Sequence, residues 1–385
     1  MTWIVSLCLP LVALLLWWPV AFASARQRRW HVGLSLALAL SLLAMVAAWR
    51  SNAVSYAVVS WLQVALGWVL VVLALCLVWV VIRLLAWGAS RLLLGPARAA
   101  FWHRARLNQV VVALIMAAGG LGIYNGLTPP SVRERDLAVA GLPAEMAGLR
   151  VAVLSDIHAS PVKGAWRNQA IVSRVMAAKP DVIVLPGDMV DGEVEDSAAA
   201  VAPLGKLAAP YGVWLAPGNH EYYHGYQRWM AHFRQLGLGV LENQTTRMAI
   251  NGRELAISGI GDLAALKRSS FMRGGLAPDL QAVNNAAEGA DFHILLAHQP
   301  KQARASAASG RVNLQLSGHT HGGHIIGFDR WAVAPANDGY VRGPYHLAGG
   351  MTLFVSAGAG QWDGFTVRLG VPSAIDILRL RPAAP

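Results

Sequence analysis

The sequence predicts an α/β domain carried behind an apolar helical region. Two observations carry this. The first third of the chain is almost continuously apolar and holds no Asp or Glu before Glu134. From Leu149 onward, short runs rich in Val, Ile and Leu alternate with helical stretches, the pattern of an α/β domain. At 385 residues the chain exceeds what one small core needs, so two units are expected.

Taken in order, residues 3–25, 32–48, 58–82 and 110–124 are apolar stretches, and a membrane helix needs about 20 such residues. A bundle of about four transmembrane helices over residues 1–128 is therefore expected. Arg26, Arg28 and Arg29 follow the first run, whereas a cleaved signal peptide carries its basic segment ahead, so the run reads as an anchor. Arg83, Arg91, Arg98, Arg104 and Arg106 crowd the third connection, and Arg50 stands alone in the second. Cytoplasmic loops retain Arg, so the first and third connections are read as cytoplasmic. The expected location is a bacterial inner membrane, multi-pass, with the following domain on the periplasmic or extracellular side.

Pro129-Pro130 opens a linker read as residues 129–148, and residues 149–385 form the second unit. Expected strands lie at residues 149–155, 181–186, 213–216, 254–260, 292–297, 312–317, 351–356 and 374–380. Helices are expected around 168–178, 198–208 and 227–236.

The net charge is +11, but nine Arg of the apolar third carry most of it, and the remainder has 23 basic against 21 acidic residues. No basic groove is implied, and nucleic acid is not an expected partner. Cys8 and Cys76, the two cysteines, both lie in apolar stretches, so the second unit has no thiol. Any metal there must be held by His, Asp and Asn.

Five strand-like runs each end in a polar motif: Asp156-Ile157-His158, Gly187-Asp188-Met189-Val190-Asp191, Gly218-Asn219-His220-Glu221, His298, and Gly318-His319-Thr320-His321. Ligands of α/β sheets bind beyond the carboxyl ends of strands, where loops present side chains that buried strands cannot. Each motif alone is explained by a cap or turn. Five in series at strand ends point to a two-metal phosphoesterase.

The same motif series resembles the calcineurin-like metallophosphoesterase superfamily over residues 149–380. The Gly318–Gly323 stretch with Gly343-Pro344-Tyr345 resembles its membrane-anchored bacterial branch. The resemblance implies a four-layer sandwich, two central β-sheets flanked by helices. It implies that Asp156, His158 and His321 hold one divalent ion, that Asn219, His298 and His319 hold a second, and that Asp188 bridges them. Two such ions repel unless an anion lies between, which independently suits a carboxylate at Asp188. Mn, Fe, Zn and Ni all suit these donors. By the same resemblance His220 is the general acid, with Asp191 orienting it and raising its pKa.

The expected function is hydrolysis of a phosphate ester or pyrophosphate, with a lipid-linked or cell-envelope substrate suggested by the anchor and membrane lipids as partners. The alternatives are a soluble phosphodiesterase of cyclic-nucleotide type and a membrane protein that binds ligand without turnover. His293, inside an apolar strand, reads as a core histidine. His324 departs from the branch pattern and is left outside the ligand set. Lys267, Arg268, Phe271, Met272 and Arg273 mix basic and apolar character in one surface loop, which would also suit a lipid phosphate.

Overall fold

The computed structural model describes residues 2–50, 54–267 and 275–383. The chain divides into two compact units, Met1–Tyr124 with Asp363–Val367, and Asn125–Trp362 with Arg368–Pro385. Of the basic-apolar loop, residues 268–274 lie outside the described residues.

The first unit is helical: α1 (Thr2–Trp17), α2 (Ala25–Arg50), α3 (Tyr56–Leu94) and α4 (Ala105–Leu127), the last running past the unit's boundary. The first apolar stretch is helical only as far as Trp17, ahead of Pro19, which has no N–H to continue a helix. At 1.5 Å per residue its 16 residues reach about 24 Å, short of a bilayer core of about 30 Å. Among the described helices, α2, α3 and α4 are long and apolar enough to cross a membrane. So three of the four expected spans meet that test.

Arg83, assigned from sequence to a cytoplasmic connection, lies instead inside α3 and is buried. Its guanidinium donates to the carbonyls of Leu15 (2.9 Å), Leu16 (2.6 Å) and Trp18 (2.7 Å) and to Asn108 Oδ1 (2.9 Å). The Leu15 and Leu16 carbonyls are among the last of α1, which lack intrahelical donors and favour a nearby cation, and Trp18 follows directly. The two remaining Arg-bearing connections come together at one end of the bundle. There Ala21 N donates to His103 O (2.7 Å), and the His31 ring meets Gln109 Nε2 (3.0 Å).

The second unit contains two six-stranded sheets. One runs β1 (Ser131–Val139), β12 (Ala374–Pro382), β2 (Arg150–Val153), β3 (Val182–Pro186), β4 (Val213–Ala216), β5 (Gly239–Val240). The other runs β10 (Gly343–His346), β11 (Thr352–Val355), β9 (Leu314–Ser317), β8 (Phe292–Leu296), β7 (Arg253–Gly259), β6 (Gln244–Ile250). β2–β5 pair in parallel, as do β7, β8, β9 and β11, so the carboxyl ends within each set face one way. The stretch 129–148, read from sequence as linker, thus holds β1, which pairs with β12. Its Arg133-Glu134-Arg135-Asp136 run lies at an exposed sheet edge and obscures the alternation.

Side chains alternate across each strand and build two cores. Val151, Val153, Val182 and Val184 of the first sheet join Leu255, Ile257, Phe292, Ile294, Leu314 and Leu316 of the second in one buried cluster. The intervening Ala152, Leu154, Ile183 and Leu185 pack outward on Ile171, Val175, Trp229 and Phe233 of the helices α5 (Ala165–Ala177) and α6 (Tyr226–Gln235). The unit is therefore sheet on sheet with helices outside, the expected four-layer sandwich. His293 is a core histidine as expected, its ring nitrogens satisfied by Ser258 Oγ (2.7 Å) and Arg311 O (3.0 Å).

Candidate metal centre

β2, β3 and β4 are neighbours in one sheet and β8 and β9 in the other, so five carboxyl ends present five loops to one place. Asp156, His158 and His321 offer ligand atoms within 4.8 Å of one another, and so do Asp188, His298 and His319. Asp188 Oδ2 lies 3.1 Å from His298 Nε2 and 3.7 Å from His158 Nε2, which puts one carboxylate between the two groups. Six of the seven candidate ligands of the sequence reading are brought together here, and the seventh, Asn219, adjoins His220, whose N–H donates to Asp188 Oδ1 (2.8 Å).

The backbone is strained where it carries them. Asp156 (φ 55°), His158 (φ 49°), Asp188 (φ 60°), His319 (φ 72°) and His321 (φ 50°) all adopt left-handed conformations. Such residues each cost about 1–3 kcal/mol and persist where the surrounding structure over-determines them. Neighbouring glycines provide the room. A Cβ on Gly318 would fall 2.2 Å from Asp156 Oδ2, and one on Gly218 would fall 2.3 Å from Asp188 Oδ1.

The imidazoles are oriented from behind. The Nδ1 of His298 faces Pro186 O (2.8 Å), that of His321 faces Gly360 O (3.2 Å) and that of His158 faces Asp191 Oδ1 (3.0 Å). A carbonyl or carboxylate acceptor fixes the proton on Nδ1 and leaves Nε2 as the ligand atom. Fittingly, His158 Nε2 and Asn219 Oδ1 are buried without a hydrogen-bond partner, and His298 Nε2 faces the Asp188 carboxylate (3.1 Å). Orphaned polar atoms converging on a carboxylate are costly in a dry interior and fit divalent cations.

Charge is sharply partitioned. Burial pushes the Asp188 carboxyl up, but His298 and His220 overcome this and hold it well below the usual range. His298 is raised well above its ordinary value, because Asp188 outweighs the burial that would lower it. Burial drives His321 and His319 the other way, His319 to about 3.

His220 is less buried, with 15% of its side chain exposed, and its Nδ1 lies 2.6 Å from Asp191 Oδ1. Burial lowers its pKa, but Asp188 and Asp191 together raise it to about 9. The expected pair is thus formed, with a feature the sequence did not announce: the same Asp191 oxygen serves both His158 and His220.

Two supporting residues were given no role by the sequence reading. Glu221 is fully buried and accepts from the backbone N–H of Gly218 (2.7 Å), Asp188 (3.1 Å) and Met189 (2.7 Å), tying the β3 and β4 loops together. Its place beside Asn219 and His220 was the available signal. Arg368 is also fully buried, and donates to the carbonyls of Ala357 (2.8 Å), Gly360 (2.7 Å), Val371 (3.2 Å), His321 (3.2 Å) and Gly358 (3.4 Å). Burial lowers its pKa to about 9, although Asp156 favours the charge. A lone Arg in a loop carried no signal. The ring of His324, left outside the ligand set, lies tilted 4.8 Å from the His321 ring and meets the Gln361 side chain at 2.6 Å.

A fold of two mixed sheets with a His/Asp centre at converging strand ends defines a class, and the sequence profile of the calcineurin-like phosphoesterases matches residues 149–323. The chain belongs to that metallophosphoesterase family. A relative in Bos taurus, named a transmembrane protein with metallophosphoesterase domain, is 33% identical over 78% of this chain and 68% of its own length. A metallophosphoesterase of Aquifex aeolicus is 30% identical over 60% of this chain and 85% of its own. The chain spans 53% of a Caenorhabditis elegans relative that is 36% identical, and 66% of a Helicobacter pylori one that is 33% identical. Among solved structures, a 5'-nucleotidase precursor from Thermus thermophilus aligns over 55% of this chain and 49% of its own, at 18% identity and a TM-score of 0.40.

Proposed function

We propose that the chain is a membrane-anchored, two-metal phosphoester hydrolase. The observation that carries this is the Asp188 carboxylate set between two His/Asp groups, with the imidazoles of His158, His298 and His321 oriented from behind. Asp156, His158 and His321 would hold one divalent ion, Asn219, His298 and His319 the other, and Asp188 both. When bound, such a pair polarises the phosphoryl group and acidifies water, chemistry that imidazole alone does not supply.

The chain's own residues supply the rest. Asp191 holds the His220 imidazole by Nδ1 and favours its charged form, which suits His220 to give a proton to the leaving oxygen. The left-handed backbone at five ligands fixes the donors before substrate arrives, so little reorganisation remains. Glu221 and Arg368 hold the loops from behind.

Sidedness follows from charge. Arg26, Arg28, Arg29, Arg91, Arg98, Arg104 and Arg106 lie in or beside the two connections that meet at one end of the helical unit, on the helix ends that flank them, and α4 leads from that end to the phosphoesterase domain. With those connections in the cytoplasm of a bacterial cell, the domain emerges on the periplasmic side, whether or not α1 spans. Fusion of alkaline phosphatase at residue 124 tests this, and an inactive fusion would overturn it.

For the activity, the purified full-length chain with Mn2+ is assayed on a chromogenic monoester, a chromogenic diester and a lipid pyrophosphate, against Asp188→Asn. Turnover that requires metal and is lost in Asp188→Asn is expected. Two bound metals with no turnover of any of the three would count against hydrolysis.

A further inference from the structure

Immediately beyond the candidate ligand His321, the chain forms a segment whose apolar side chains face solvent. Ile326 is 67% exposed, Phe328 46% and Trp331 85%. Leaving such side chains in water forgoes about 1.5–3 kcal/mol each, so several close in sequence mark a surface that something apolar covers.

This segment is held firmly. Ile326 N donates to Leu369 O (3.1 Å) and Leu369 N to His324 O (3.1 Å), which fixes its start to the next strand-like stretch. The Asp329 carboxylate accepts from the N–H of Gly327 (2.9 Å) and of Arg330 (2.9 Å) and pairs with Arg342 Nη1 (2.8 Å). Residues 329–336 then continue as short helical turns. Arg342 also donates to Gly322 O (2.5 Å), inside the loop that carries His319 and His321. The exposed apolar flange and the candidate metal ligands therefore share one braced piece of backbone.

The composition selects the occupant. Isoleucine, phenylalanine and tryptophan around a solvent-facing Arg330 are what an element seated in the headgroup–acyl boundary of a leaflet carries, with Trp at headgroup level and Arg toward lipid phosphate. The chain supplies the membrane itself: α4 is long and apolar enough to cross one, and residues 128–130 alone separate it from β1.

Resting on the hydrolase reading above, we infer that residues 325–336 form a membrane-seated flange and that the metal centre acts on a phosphoester borne by a lipid, taken from the leaflet. The shared backbone means that a lipid whose acyl chains lie against Ile326 and Trp331 brings its phosphate toward His319 and His321.

Two measurements on the full-length chain in nanodiscs of phosphatidylethanolamine and phosphatidylglycerol test this. In the first, Trp331→Cys is spin-labelled in a Cys8→Ala, Cys76→Ala background, and its accessibility to oxygen and to a water-soluble nickel chelate is read by EPR. Oxygen access with chelate exclusion supports the flange. Free chelate access overturns it, and chelate exclusion persisting without lipid would assign the surface to a protein contact instead. In the second, Ile326→Ser, Phe328→Ser and Trp331→Ser are combined. The kcat/KM for phosphatidic acid or a lipid pyrophosphate in the nanodisc is expected to fall about tenfold or more, with a soluble chromogenic ester within about twofold of wild type. An equal effect on both, or wild-type turnover of the soluble ester with none of either lipid, overturns the lipid substrate while leaving hydrolysis standing. Absence of turnover on every substrate tells against the hydrolase reading alone, because the spin label reports on the flange without catalysis.

Discussion

Replacing Arg368 by Met removes a cation that touches no expected ligand side chain, yet it is expected to empty the site holding Asp156, His158 and His321. The magnitude follows from the carbonyls left behind. Of the five that Arg368 serves, Gly358 O also accepts from Ala374 N, His321 O from His324 N, and Gly360 O from His321 Nδ1. Among the described residues, the carbonyls of Ala357 and Val371 depend on Arg368. Two buried acceptors left unsatisfied cost about 2–6 kcal/mol together. For a domain of this size that corresponds to a fall of about 10 °C in the thermal transition. The loosened stretch includes Gly360, whose carbonyl fixes the His321 tautomer, and Ala359, whose N–H donates to Ser155 O (2.8 Å) beside Asp156. Thermal unfolding in detergent and metal analysis after Mn2+ loading are the assays, with one ion expected per chain in place of two. Arg368→Lys keeps the charge but cannot reach so many carbonyls from one nitrogen, so an intermediate result is expected. An Arg368→Met chain with the wild-type transition and two ions would refute the reasoning.

Asp191→Asn removes the carboxylate that helps raise His220 to about 9, so the alkaline limb of the activity profile should move to lower pH, with most bound metal retained. An unmoved limb would exclude His220 as the acid. Gly318→Ala places a Cβ 1.8 Å from Ser155 Oγ and 2.2 Å from Asp156 Oδ2, and calorimetry should find Mn2+ binding about 10- to 100-fold weaker. In the metal-free chain the raised His298 holds a proton that contributes stability below its unfolded pKa of about 6.5 and loses it as pH rises through the higher folded value. The stability that His298→Asn removes from the metal-free chain should therefore be larger at pH 6 than at pH 9, as read by thermal unfolding of both chains, while Mn2+ affinity should rise by about tenfold per pH unit for each proton displaced.

The ligands were legible because each lies just past a run of buried branched residues, and strand ends are where sheet proteins expose functional groups. What their spelling hid was the backbone they occupy: a positive φ is uncommon for any residue but glycine, so the left-handed Asp156, His158 and His321 are not read from residue type alone. β1 was hidden by Arg133 to Asp136, since an edge strand facing solvent has no need of apolar alternation. Asp191 was read as serving one histidine, and only the fold brings His158 to the same oxygen. Arg83 was counted with connection charges because an arginine near the end of an apolar run usually lies at a membrane surface. Here it closes the end of α1, a helix 67 positions earlier in the sequence.

One consequence lies in the order of synthesis. The helical unit includes Asp363–Val367. Asp363 accepts a hydrogen bond from Ser60 Oγ, and a Cβ on Gly67 would meet Gly364 O at 3.2 Å. During translation the four helices emerge long before this segment, and all five motif loops are made in between. The bundle thus waits, with a seat for Asp363 left open, until nearly the whole chain has left the ribosome. A chain halted anywhere between residue 128 and residue 362 would present the membrane machinery with an unfinished bundle, so completion of the anchor itself reports that the catalytic loops have already been synthesised.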